Sequence, residues 1–206
     1  MERPLAPTAL TILYTGRLRG NLDRLPMLYT FLRDLRAGAE GAPVLLVDTG
    51  ESCAPEAWHC AVTGGRSTLI ALDGMGYHAA RTQGVLTPDL RDKLTAQVQM
   101  ALVDAGHPWS YSDAITVIDD DDKGADGRLM IALAPADETS FDGRVVRLGT
   151  VEGHQVGRVR LRSGALDGHD VFDLPSGTPP DPTIAGVVDF IVSEARYTEK
   201  RRGKAE

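Results

Sequence analysis

Apolar and polar positions fall into two regimes along the chain. In the first half, short unbroken apolar runs alternate with stretches in which apolar side chains recur every three or four residues. Leu10-Thr11-Ile12-Leu13-Tyr14 and Pro43-Val44-Leu45-Leu46-Val47-Asp48 are runs of the first kind. With almost no polar alternation, they predict strands covered on both faces. Between them, Leu25, Leu28, Leu32 and Leu35 mark one face of a helix over residues 23–36, with Asp23 as its cap and Pro26 in its first turn. Gly38, Gly41 and Pro43 end it. A glycine-rich loop then leads to a short helix over residues 66–74. The clearest helical pattern spans residues 88–105: Thr87 caps, Pro88 takes the first position, Asp89 suits the positive end of the dipole, and Leu90, Leu94, Val98 and Leu102 repeat every four residues.

From residue 113 the period changes. Short β-like runs occur at 114–118, 128–133, 145–148, 156–161 and 171–174, separated by Gly and Asp turns. A proline-rich link over 175–182 precedes a final helix over 183–197. Strand, helix, strand, helix and then a run of strands predicts an α/β fold of mixed parallel and antiparallel sheets flanked by helices. One domain over 1–206 is expected, with flexible ends at 1–8 and 199–206.

Composition narrows the function classes. No apolar run of the 206 residues approaches the ~18–20 that span a bilayer, so no membrane role is expected. A net charge of −7 argues against a general nucleic-acid binder, which needs surplus Lys and Arg. The opening Met1-Glu2-Arg3-Pro4 lacks the apolar core of an export signal. Cytoplasmic localisation is the expectation, with Cys53 and Cys60 as thiols.

Motifs add a family. The segment Leu10-Thr11-Ile12-Leu13-Tyr14-Thr15-Gly16-Arg17-Leu18-Arg19-Gly20-Asn21-Leu22 resembles the opening of the 5′-nucleotidase branch of the calcineurin-like metallophosphoesterases, L-T-I-L-H-T-N-D-L-H-G-N-L. Asp48-Thr49-Gly50-Glu51-Ser52 is similar to the end of its L-L-D-A-G-D-S, and Ala71-Leu72-Asp73-Gly74-Met75-Gly76-Tyr77-His78-Ala79 to its A-L-N-A-L-G-Y-D-A. Gly157-Arg158-Val159-Arg160-Leu161 resembles the closing strand, and Pro179-Pro180-Asp181-Pro182 the end of the catalytic domain. The resemblance covers residues 8–82 and, more loosely, 144–197. It implies a reduced αββα sandwich, and in the family two metal ions that activate water against a phosphate ester. The ligand positions depart from that pattern. Arg17 and Arg19 stand where the family has Asp and His, and Glu51 stands for the bridging Asp. No Asn-His pair follows Tyr77, and no G-H-x-H occurs. Arginine donates and cannot accept, so it cannot ligate a metal.

The chemistry left open is therefore specific. Arg17, Arg19 and Glu51 form either a pocket for an anion, such as a phosphorylated small molecule, or an ion pair filling an inert site. The leading expectation is a non-catalytic binding or interaction domain without a cofactor, and with self-association or a protein partner as a corollary. The rival is a divergent phosphoesterase built around one divalent metal held by Asp48, Glu51 and Cys53 or His59. Cys53, His59 and Cys60 as a zinc set is the weaker reading, because C-x6-C is not a standard zinc spacing and adjacent His-Cys side chains diverge on a strand. Asp119-Asp120-Asp121-Asp122-Lys123-Gly124 reads as a solvated hairpin tip. His107, His154 and His169 receive no role.

Overall fold

The computed structural model describes residues 9–39, 41–120 and 128–202. Strand β1 (Ala9–Thr15) leads through a 3-10 turn (Leu22–Arg24) into α1 (Leu25–Ala37). Then come β2 (Val44–Asp48), α2 (Trp58–Thr63), α3 (Arg66–Gly74), β3 (Ala79–Arg81), α4 (Pro88–Thr95) and β4 (Ala101–Val103). The second half contains β5 (Trp109–Ser112), β6 (Ile115–Ile118), β7 (Leu129–Ala136), β8 (Ser140–Phe141), β9 (Val145–Gly149), β10 (Gln155–Arg162), β11 (Ala165–Asp173) and α5 (Pro182–Arg202).

Two mixed sheets stack face to face. The first runs β11-β10-β1-β2-β3-β4 and the second β5-β6-β7-β9-β8. In the first, β1 to β4 are parallel, and β10 and β11 extend it antiparallel on the other side of β1. In the second, β6, β7 and β9 are parallel, with antiparallel edges at β5 and β8. Because β6 and β7 are parallel, the acidic link between them is not a hairpin tip. Asp119 at its start is buried and ion-paired to Arg81, while Asp121 to Gly124 lie outside the described residues.

Successive residues of β1 and β2 feed two cores, as the pleat requires. Leu13 and Leu46 face the helices, packing with Leu25, Leu28 and Leu32 of α1, Leu69 and Leu72 of α3, and Ile184, Val188 and Ile191 of α5. Ile12, Tyr14, Leu45 and Val47 face the second sheet, meeting Val117, Ile131, Val146 and Leu148. Each fully buried Leu or Ile contributes about 2 kcal/mol. Gly157 is required where the sheets meet: a Cβ there would lie 2.0 Å from the Tyr14 ring. The ring occupies that space, and its hydroxyl reaches Thr139 and His169 at 3.2 and 3.1 Å. Helix α5 is capped by Asp181, whose Oδ1 accepts from the Thr183 and Ile184 N–H groups.

Three further sequence expectations need correction. Asp23 does not cap α1: it sits inside the 3-10 turn, and α1 starts at Leu25 without a side-chain cap. The helix expected over 88–105 stops at Thr95, although Thr87 Oγ1 does accept from the Leu90 N–H. Beyond it, the Asp73 carboxylate takes the Gln99 and Met100 N–H groups, and Ala101–Val103 pairs with β3. Ladder bonds and a buried Leu102 outweigh the helical period there. The loop expected after β2 contains α2, which Gly64 closes in the left-handed conformation (φ +65°).

Candidate functional site at the strand ends

Parallel pairing of β1 and β2 continues past the sheet as backbone bonds between the two loops that follow. Arg17 N–H donates to Gly50 O, Arg19 N–H to Glu51 O and Gly20 N–H to Ser52 O, at 2.8–2.9 Å. Arg17, Arg19 and Glu51 all take the left-handed conformation, with φ of +52°, +51° and +53°. Non-glycine residues there cost on the order of 1 kcal/mol each, and such strain is held only where surrounding contacts impose it. The loops thus keep a demanding backbone at the three positions where the family resemblance places metal ligands.

The side chains at those positions form ion pairs. Glu51 receives Arg17 Nε at 3.6 Å and Arg19 NH2 at 3.3 Å. Arg17 also donates from NH1 to Glu152 Oε1 at 2.8 Å, and this bond chiefly raises the guanidinium above its already high ordinary pKa. A third arginine, Arg81 at the end of β3, packs against Gly50 and donates from Nε to Asp119 at 2.6 Å. Each guanidinium therefore has a carboxylate. Arg81 and Glu152 were not singled out from the sequence, and Asp119 was read only as the start of a solvated acidic turn. Arg81 directly follows the last matched motif, but Glu152 carries no signal, being 135 residues from its partner.

Asp48 lies beneath this layer. It is fully buried, with Oδ1 accepting from Ser52 Oγ at 2.5 Å and the Gly50 N–H at 3.0 Å, and Oδ2 accepting from Thr15 Oγ1 at 3.0 Å. Tyr77 in turn donates to Thr15 Oγ1 at 2.9 Å. Burial raises the Asp48 pKa to about 6, against the opposing pull of these donors. Asp48 holds the 49–52 turn from inside and shares no ligand point with Glu51.

Cys53 and Cys60 are joined in a disulfide, not present as the expected thiols. His59 and Cys60 are consecutive on α2 rather than on a strand, so their side chains do not diverge: His59 Nδ1 is 3.7 Å from Cys60 Sγ. Beside the arginines opens a cleft of about 490 Å³, lined by Arg19, Glu51, Cys53, Glu56 and Gln83 among others. Ligand crevices of parallel sheets lie at this carboxyl end of the strands.

The two metals implied by the resemblance do not fit these residues. Two guanidinium groups fill the loop ends, they only donate, and Glu51 is already committed to both. The single-metal alternative is not assembled either. Among the described residues the group of His, Cys, Asp or Glu atoms close enough for one ion is Cys53, His59 and Cys60, without Asp48 or Glu51. No helix among the described residues is long and apolar enough to cross a membrane.

No family model and no curated protein matches the sequence. Solved structures match at the level of architecture. The sulfate thiohydrolase SoxB of Thermus thermophilus, in complex with glycerol, aligns with a TM-score of 0.67 at 12% identity, over 94% of this chain and 62% of that one. The calcineurin-like phosphoesterase YfkN of Bacillus subtilis aligns with a TM-score of 0.58 at 11% identity, over 93% and 99%. The NAD nucleotidase NadN of Haemophilus influenzae aligns with a TM-score of 0.55 at 10% identity, over 94% and 60%. This chain thus spans about three-fifths of SoxB and of NadN. Paired mixed sheets, helices over β1 to β4 and loops at the strand ends agree with the motif resemblance: the chain shares the fold of these phosphoesterase and nucleotidase structures.

Proposed function

We propose that this chain is a phosphoesterase-fold domain without hydrolytic chemistry, and that it binds a phosphorylated small molecule through Arg17 and Arg19. The observation that carries this reading is the pairing of two partly exposed guanidinium groups with one carboxylate, Glu51, which together with Arg19 lines the cleft. Exposed ion pairs contribute only about 0–1 kcal/mol each, so an incoming phosphate displaces Glu51 at little cost. It offers bidentate acceptors to the same planar forks. Arg17 Nε faces Glu51 Oε1 at 3.6 Å, beyond hydrogen-bond distance, so a phosphate oxygen taking the place of Glu51 gains a donor that Glu51 does not fully use.

Titration calorimetry with inorganic phosphate and a nucleoside monophosphate tests the reading. Arg17→Ala or Arg19→Ala weakens binding by roughly tenfold or more, the size of one lost charge-assisted bond. Glu51→Gln tightens it by removing the competing carboxylate. Release of p-nitrophenol from its phosphate ester with Mn²⁺ or Zn²⁺, abolished by Glu51→Gln, would overturn the proposal. So would the absence of any phosphate binding.

A further inference from the structure

Below the arginine loops, the loop after β2 and α2 bring two sulfurs and an imidazole together in the interior, against Ser67 and Thr68 of α3. Cys53 Sγ, His59 Nδ1 and Cys60 Sγ lie within 4.8 Å of one another, and all three residues are buried. The hydrogen bonds of His59 fix its tautomer. Its Nε2 is 2.9 Å from Gly20 O, and a carbonyl can only accept, so Nε2 carries the proton. Nδ1 therefore presents a lone pair, directed at Ser67 Oγ at 2.8 Å and at Cys60 Sγ. This is the arrangement of a metal-binding histidine, whose second ring nitrogen is held by a backbone carbonyl. Gly20 has to be glycine for the cluster to close, because a Cβ there would come within 2.9 Å of Cys60 Sγ and 3.2 Å of the His59 ring.

We infer that the Cys53–Cys60 disulfide is the closed form of a redox-gated site for a thiophilic cation such as Zn²⁺, with Cys53, His59 and Cys60 as its ligands. The spacing is close to what the ion requires. Tetrahedral zinc holds a sulfur and a nitrogen ligand about 3.5 Å apart and two sulfurs about 3.8 Å apart. His59 Nδ1 already stands 3.7 Å from Cys60 Sγ, so opening the sulfur–sulfur bond is the main change needed. Ser67 Oγ sits amid the three ligand atoms, 3.4 Å from Cys53 Sγ and 3.8 Å from Cys60 Sγ. It or a water completes the coordination. Thr68 Oγ1 donates to Cys53 Sγ at 3.3 Å, the kind of contact that supports a thiolate.

The chemistry balances with a dithiol as reductant. The dithiol is oxidised to its own disulfide, and its two electrons and two protons convert the Cys53–Cys60 bond into two thiols. Zn²⁺ then binds both sulfurs and His59 Nδ1, and the two thiol protons leave to solvent. Disulfide sulfurs are not thiolates, so the oxidised chain presents no such site. Cys53 lines the cleft and gives reductant and ion a route inward.

The 206-residue chain tests this with Zn²⁺ and Co²⁺ as probes, after reduction by a non-chelating phosphine and after oxidation. The expected result is one ion per chain retained through gel filtration by the reduced form and none by the oxidised form. Cobalt should show tetrahedral ligand-field bands with thiolate charge transfer. His59→Ala lowers the affinity by about tenfold or more, the scale seen when a metal-binding imidazole is disturbed. Should that variant fail to fold, alkylation decides on the unmodified sequence: bound zinc must shield Cys53 and Cys60 from iodoacetamide. The inference is overturned if the reduced chain retains no ion, if both thiols react equally fast with and without zinc, or if the Cys53→Ser, Cys60→Ser double variant keeps the ion.

Discussion

Two polar clusters stand one above the other at the ends of β1 and β2, and they are built on opposite principles. In the outer one, Arg17, Arg19 and Glu51 are partly exposed, with side chains 33–60% accessible, and hold one another by charge. In the inner one, Asp48, Thr15, Ser52 and Tyr77, with the Cys53–Cys60 bridge and His59 beside them, are buried and joined by directed hydrogen bonds and one covalent bond. Water competes for every contact of the first cluster and for almost none of the second. The inner cluster therefore sets the shape of the loops, and the outer one is free to exchange its partners. The proposed binding of a phosphorylated molecule requires such an exchangeable layer over a rigid support.

The sharpest test of that contrast is pH. Asp48 titrates near 6 in the folded chain and near 4 when unfolded, so between those values the native state holds the extra proton. Its contribution to stability is therefore greatest below pH 4 and falls as pH rises through 6, by about 3 kcal/mol in all. Asp48→Asn, which keeps the shape, removes this fall. Urea denaturation of both proteins across pH 4–7 measures it. Asp104 and Asp170 act in the opposite sense on the acid side. Hydrogen bonds and nearby positive charge outweigh partial desolvation and lower their pKa values, so they lose stability as pH falls.

Next in size is the bridge. Its cysteines are separated by seven positions, and loop-closure entropy for so short a ring gives about 2–3 kcal/mol. Reduction, or the Cys53→Ser, Cys60→Ser pair, lowers the urea midpoint accordingly. A smaller effect probes the outer layer. Glu51→Gly relieves the left-handed strain and raises stability by about 1 kcal/mol relative to Glu51→Ala, which keeps a Cβ at φ +53°. The smallest concerns Glu152→Gln, which breaks the Arg17 pair at the surface and shifts stability by less than about 1 kcal/mol. A loss of several kcal/mol there would mean that the outer layer also sets the fold.

Much of this was legible in the chain. The unbroken apolar runs at 10–14 and 44–48 become β1 and β2, because a parallel strand buried on both faces leaves no room for polar alternation. Arg17, Arg19 and Glu51 do meet, since they follow two paired parallel strands at matching register. The helix over 88–105 misled because Leu90, Leu94, Val98 and Leu102 keep one period across two elements. Only Leu94 serves α4 as a buried contact, while Leu102 belongs to β4. Asp48 was visible as a carboxylate, but its position below the loop depends on which face of the pleat it takes and on Thr15 and Tyr77, residues 33 and 29 positions away.

By itself, then, the sequence determined the α/β character and the parallel strands of the first half, which follow from local period and residue type, and it placed Arg17 and Arg19 where the family resemblance implies metal ligands. Tertiary structure alone decided that Glu152 and Asp119 neutralise Arg17 and Arg81, across 135 and 38 positions. It also placed His59 and Cys60 on a helix and brought Cys53 within bonding distance of Cys60. Such pairings are set by how strands and loops stack in space, and side-chain chemistry at one position carries no record of its distant partner.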